Sequence, residues 1–101
     1  MLSGKERIAL RLLRNARKEM YGLDLVGASG GQLGRATIYI VLGRMEENGY
    51  ITSRKPREWL DFPGLPRSLY KITGRGERIL AAIEADNVPQ QETPFEAMPI
   101  S

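Results

Sequence analysis

The stretch RATIYIVLGRMEENGYITSRK, Arg35–Lys55, changes its period halfway along. Up to Met45 the apolar residues Ile38, Val41, Leu42 and Met45 recur at the spacing of one helix face. Beyond Asn48-Gly49 the pattern alternates as a strand does, and the basic residues Arg54, Lys55 and Arg57 follow at once. Glycine reaches the left-handed conformation that closes a helix without a steric penalty, so Gly49 marks the boundary. The reading is a helix over Arg35–Asn48 that runs directly into a cationic strand over Tyr50–Arg57.

Downstream, Ser68–Ile72 reads as a second strand. The intervening EWLDFPGLP holds a Pro-Gly turn signal, so the two strands form a hairpin. Thr73 can cap a last helix from Gly74 to about Ala85, with Ile79, Leu80 and Ile83 on its apolar face. From Asn87 the composition shifts to NVPQQETPFEAMPIS, where prolines argue against regular structure. A folded unit over 1–86 and a loosely packed or disordered, Pro-rich acidic tail over 87–101 are expected.

Upstream, Ser3–Lys18 reads as a helix. Ser3 and Glu6 have the spacing of a capping box, and Ile8, Leu12, Ala16 and Met20 form a stripe flanked by Ala9 and Leu13. Tyr21–Val26 reads as a short second helix, ended by the glycine-rich GASGGQLG. That segment lacks the Gly-Lys-Ser/Thr ending of a phosphate-binding loop and does not give GxGxxG after a strand. The order helix-helix-helix-strand-strand-helix is mostly α with a small antiparallel β-hairpin: a winged helix-turn-helix.

Composition narrows the functions. The chain has 101 residues and neither cysteine nor histidine, so disulfides, thiolate or imidazole metal sites and Cys/His or Ser/His nucleophile pairs are excluded. The carboxylates are scattered over helix surfaces, no cofactor is implied, and an enzyme is not expected. MLSGKERIAL lacks the apolar run of a signal peptide, and no run approaches the ~20 residues of a membrane span, so a cytoplasmic location is expected. The formal charge is +3, yet Asp86, Glu92 and Glu96 are the only charges after Glu84, so the body is more basic than the total. A basic body favours a polyanionic partner. A stripe of Arg7, Arg11, Arg14 and Lys18 on the first helix is either a solvated face or a contact with phosphates or with the acidic tail.

Three segments resemble the PadR-like transcriptional regulators. MYGLDLV (Met20–Val26) is similar to their HGYEI-type segment, with Met20 in place of the histidine. LGRATIYIVLGRMEENGYITSR (Leu33–Arg54) is similar to their L-S-P-G-T-L-Y-P-x-L-x-R-L-E-x-x-G-L-I-x-S signature. RSLYKITGRGERIL (Arg67–Leu80) resembles their R-x-x-Y-x-L-T-x-x-G segment. Thr37, Tyr39, Leu42, Arg44, Glu46, Gly49, Ile51, Ser53, Tyr70, Thr73 and Gly76 fall in register, and that combination carries the likeness. The departures gather at the start of the third helix: Gly34 and Arg35 for Ser-Pro, Ala36 for Gly, Ile40 for Pro, and Gly43 mid-helix. The resemblance implies a homodimeric, DNA-binding regulator, usually a repressor, and a small aromatic or drug-like effector. The chain ends soon after its last helix, so a dimer is expected to rest on the first and last helices or the tail.

On a helix wheel with Ile38, Leu42 and Met45 buried, Ala36, Ile40 and Gly43 face outward, with Arg35, Thr37, Tyr39 and Arg44 flanking them. A major groove admits such a helix and meets its N-terminal residues. Arg35 suits guanine, because a guanidinium bonds its edge bidentately, and Ile40 suits thymine methyls. Thr37 and Tyr39 can donate to phosphate, and small Ala36 and Gly43 let the backbone approach closely. Arg54, Lys55, Arg57, Arg67 and Lys71 place five cations on the hairpin, where they suit double-stranded DNA's phosphates rather than its bases. Trp59, Leu60, Phe62 and Leu65 make the wing tip apolar, which with the tail motivates the alternative: a winged-helix protein–protein interaction module that does not bind specific DNA.

Overall fold

Ser3 opens the first helix, α1 (Gly4–Ala16), through the capping box read from the sequence. Ser3 Oγ accepts from the Glu6 amide at 3.2 Å, and the Ser3 amide donates to the Glu6 carboxylate at 2.8 Å. Such a cap stabilises a helix by about 1 kcal/mol. The computed structural model to which these distances belong describes residues 2–57 and 68–96, with side chains through Asp86. Arg67, the apolar wing-tip residues Trp59, Leu60, Phe62 and Leu65, and Met98 lie outside the described residues.

α1 stops two residues before the expected Lys18. Arg17 takes the left-handed conformation (φ 55°) and its amide donates back to the Leu13 carbonyl. The buried side of α1 is also turned from the expected stripe. Ala9, Leu10 and Leu13 are buried, whereas Ile8 and Leu12 are only partly so. Met20, the far end of the expected stripe, belongs not to the helix but to a two-residue strand, β1 (Met20–Tyr21), that the sequence reading did not anticipate.

The second helix, α2 (Gly22–Ala28), follows β1 immediately, with the Tyr21 amide donating to Asp24. Leu25 is buried, but Leu23, expected on the apolar face, is exposed. Gly30 and Gly31 both have positive φ, which lets the chain reverse between helices. Buried Ser29 closes that turn by donating to the Val26 carbonyl and accepting from the Leu33 amide.

The third helix, α3 (Ile38–Glu47), starts later than expected. Arg35, Ala36 and Thr37 form a turn before it. Its inward face is Ile38, Val41, Leu42 and Met45, as the spacing implied. Gly49 (φ 79°) ends it. The Tyr50 amide donates to the Met45 carbonyl at 2.9 Å and the Gly49 amide to Glu46 at 3.0 Å, the paired bonds of a Schellman motif.

Strands β2 (Ile51–Arg54) and β3 (Leu69–Ile72) form the hairpin, and β1 adds to its other side, giving the order β1-β3-β2, all antiparallel. Ile51 faces Ile72 and Arg54 faces Leu69, while Met20 faces Tyr70. β2 is shorter than expected, leaving Lys55 and Arg57 beyond its end.

The last helix, α4 (Gly74–Glu96), docks on the end of α3. Thr73 Oγ1 accepts from the Gly76 amide at 3.0 Å and donates to the Gly49 carbonyl at 2.7 Å, and the Thr73 amide donates to the Tyr50 carbonyl. A Cβ at Gly76 would lie 2.2 Å from the Tyr50 carbonyl oxygen, so only glycine permits this approach. Arg75 stacks over the Tyr50 ring at 5.6 Å. α4 passes the expected end near Ala85 and continues through Pro89 and Pro94. Each proline removes one amide from the ladder, but Gln90, Gln91 and Glu92 between them are good helix formers, so the change of composition at Asn87 is not a helix boundary.

Candidate nucleic-acid interface

With its inner face consumed by the core, α3 turns the expected contact residues outward. Arg35 and Ala36 are exposed in the preceding turn, and Gly43 and Arg44 are exposed further along the helix. Ile40 is 58% exposed and Tyr39 40%, which makes this one of the few places where the described fold leaves large apolar groups in water. A Cβ at Gly43 would meet nothing within 4 Å, so the backbone there is open to a close approach.

Tyr39 is held in place. Its ring lies on Gly22, where an added Cβ would stand 2.8 Å from Cε1 and 3.2 Å from Oη. Gly22 therefore supports the candidate contact residue Tyr39, a link that helix spacing does not reveal. The only sequence signal for it was the Tyr21-Gly22 pair in the family segment. Thr37 differs from expectation. It occupies the N-cap position, but its Oγ1 is buried without a hydrogen-bond partner and its side chain does not cap the helix. In this conformation the Thr37 hydroxyl is closed to solvent.

Period-two alternation sorts the sheet. Ile51, Ser53, Tyr70 and Ile72 share the face turned toward the helices, and Thr52, Arg54, Leu69 and Lys71 share the opposite one. On the inner side, Ser53 Oγ donates to the Glu46 carboxylate at 2.7 Å and ties β2 to the last turn of α3. Glu46, which would oppose phosphate if free, is thus engaged within the fold. Burial pushes the Tyr70 phenol above its usual range, with the neighbouring Glu46 and Tyr39 adding to the effect. These contacts join the flank of α3 to the base of the wing.

The outer face is cationic but not uniformly so. Arg54 donates through Nε and an Nη to the two carboxylate oxygens of Glu19, both at 2.7 Å. Glu19 precedes β1, and extending the strand register puts it opposite Lys71. The Arg54 hydrogen bonds hold the Glu19 carboxyl below the usual range against the opposing effect of desolvation, with the charges of Arg54 and Lys71 acting in the same direction. Lys55, Arg57 and Lys71 are exposed. A cleft of about 550 Å³ runs from Lys71 to Arg17 and Lys18 at the end of α1, with Leu13, Arg14, Ile72, Glu77 and Ala81 also on its wall.

The basic stripe of α1 has a different fate. Arg14 Nη1 lies 2.6 Å and Arg11 Nε 3.3 Å from Glu84 on α4. The hydrogen bond from Arg14 is the main reason the Glu84 carboxyl sits below its usual range and the Arg14 guanidinium above its own. Of the readings open for that stripe, two of its four members are spent on clamping the last helix to the first. Among the described residues, no group of three or more His, Cys, Asp or Glu is placed to hold a metal ion, and no helix is long and apolar enough to cross a membrane.

A helix-turn-helix backed by a three-stranded sheet, with a closing helix, defines a winged-helix protein. The model of the transcriptional regulator PadR-like family matches residues 10–82, and the chain belongs to that family. No curated protein matches the sequence significantly. Among solved structures, a MarR family transcription regulator is similar at TM-score 0.76 and 24% identity, over 97% of this chain, which spans 60% of that protein's length. A PadR-like transcription factor from Bacteroides fragilis matches at TM-score 0.70 and 23% identity, covering 92% of this chain and 88% of its own. A PadR family transcription regulator from Clostridium difficile matches at TM-score 0.67 and 23% identity, over 85% and 94% of the two chains. At these identities the likeness speaks to the fold alone.

Proposed function

We propose that the chain is a DNA-binding repressor of transcription that acts in the cytoplasm as a homodimer. The start of α3 reads the major groove, and the wing grips phosphates. The observation that carries this reading is the outer face of α3. Arg35, Ala36, Tyr39, Ile40, Gly43 and Arg44 are all at least partly open to solvent there, beside a strand pair that carries Arg54, Lys55, Arg57 and Lys71. Arg35 reads guanine, and a good bidentate pair of this kind discriminates by about 1–3 kcal/mol. Ile40 and Ala36 meet thymine methyls, while Tyr39 and the wing cations position the domain on the backbone. Partly buried Ile8 and Leu12 on α1 and Ile79 and Ile83 on α4 supply the apolar groups for pairing with a second copy.

Fluorescence anisotropy of a labelled random duplex at low salt tests the reading, alongside the molar mass in solution. Binding should weaken with salt along a log–log line whose slope grows by about 0.9 per phosphate neutralised. A mass of one chain would remove the dimer. Binding that is absent at low salt would remove the function.

A further inference from the structure

Glu19 fills the guanidinium fork of Arg54. Its two oxygens take Nε and an Nη of Arg54 at 2.7 Å each, the fork geometry by which arginine also holds phosphate. Arg54 is the last residue of β2, at the base of the wing, and its side chain is 57% exposed, so the pair is open to exchange. Lys71 is the second cation acting on the same carboxylate. Two-residue β1 is what brings Glu19 there, by pairing with β3.

We propose that Glu19 is an electrostatic restraint on DNA affinity that competes with DNA phosphate for Arg54. The inference rests on the DNA-binding reading above. In free protein the carboxylate neutralises part of the wing. On DNA, Arg54 exchanges Glu19 for a phosphate and the displaced carboxylate opposes the duplex. Backbone contacts do not distinguish sequences, so this restraint falls on all DNA. It lowers affinity for every duplex alike, and removing it strengthens DNA binding irrespective of sequence.

The test compares wild type, E19Q, R54Q and the double variant on a random duplex between 0.05 and 1 M salt, with thermal melts confirming that each is folded. E19Q should raise affinity roughly 5–10-fold near 0.1 M salt and increase the salt slope by about 0.9, as one more effective phosphate contact does. The gain should fade toward 1 M salt and largely vanish in the R54Q background. A loss of affinity in E19Q, an unchanged slope, or a full gain retained without Arg54 overturns the proposal while leaving the DNA-binding reading in place. Failure of wild type and E19Q alike to bind at low salt overturns both.

Discussion

Gly76 and Gly43 are both helix glycines, and the structure assigns opposite signs to their replacement by alanine. Helix propensity alone predicts that each change stabilises the fold by up to about 1 kcal/mol. At Gly43 nothing lies within 4 Å of the new methyl, so that gain should appear in full. At Gly76 the methyl would stand 2.2 Å from the Tyr50 carbonyl oxygen and 2.9 Å from Ile72 Cγ1. The first turn of α4 must back away from the end of α3 by about an ångström. That motion strains the bonds from Thr73 Oγ1 to the Gly49 carbonyl and from the Thr73 amide to Tyr50. Overpacking costs about 1–3 kcal/mol and each weakened hydrogen bond up to about 1 kcal/mol, so the net loss is about 1–3 kcal/mol after the propensity gain. Urea unfolding followed by circular dichroism measures both variants. G76A as stable as wild type, or more so, would refute the packing argument. G43A less stable than wild type would refute its premise that this face meets nothing.

Three further outcomes follow from the site and the helix clamp. Gly22→Ala should drive the Tyr39 ring from its place and lower DNA affinity by about 1.5–3 kcal/mol, the scale of one lost hydrogen bond to a charged group, with little change in unfolding midpoint; unchanged affinity would detach Tyr39 from binding. Arg35→Ala should relax base choice at one position of each half-site by about 1–3 kcal/mol, read by binding-site selection with the variant. Glu84→Gln should cost about 0.5–1 kcal/mol at neutral pH, the range of a partly exposed ion pair. Because the folded carboxyl is depressed, its contribution is present above the unfolded value near 4.3 and fades as pH falls through the lower folded value. Wild type and E84Q should therefore converge in acid, as unfolding midpoints across pH would show.

The four helices and the hairpin, the buried face of α3, the Gly49 stop and the Ser3 cap were legible because each shows itself in a local pattern. β1 was not, since two residues cannot display a period and Met20–Tyr21 become a strand only by pairing with β3. The turn over Arg35–Thr37 was read as helix because nothing in its composition breaks one. The exposed residues of α3 follow from its wheel, but the contacts that set their charge and position are long-range. Glu19 with Arg54, Glu84 with Arg11 and Arg14, and Gly22 under Tyr39 join segments that sequence spacing alone does not relate. The buried Thr37 hydroxyl depends on a rotamer, which spacing does not specify.

Selection of bound sequences from a randomised duplex pool, carried out in parallel with wild type and R35A, tests the central claim most directly. The account predicts a two-fold-symmetric site, with half-sites one helical turn or ~34–36 Å apart, and a guanine required by wild type that R35A no longer requires. A pool that enriches no sequence, or the same guanine demanded equally by both proteins, would contradict it.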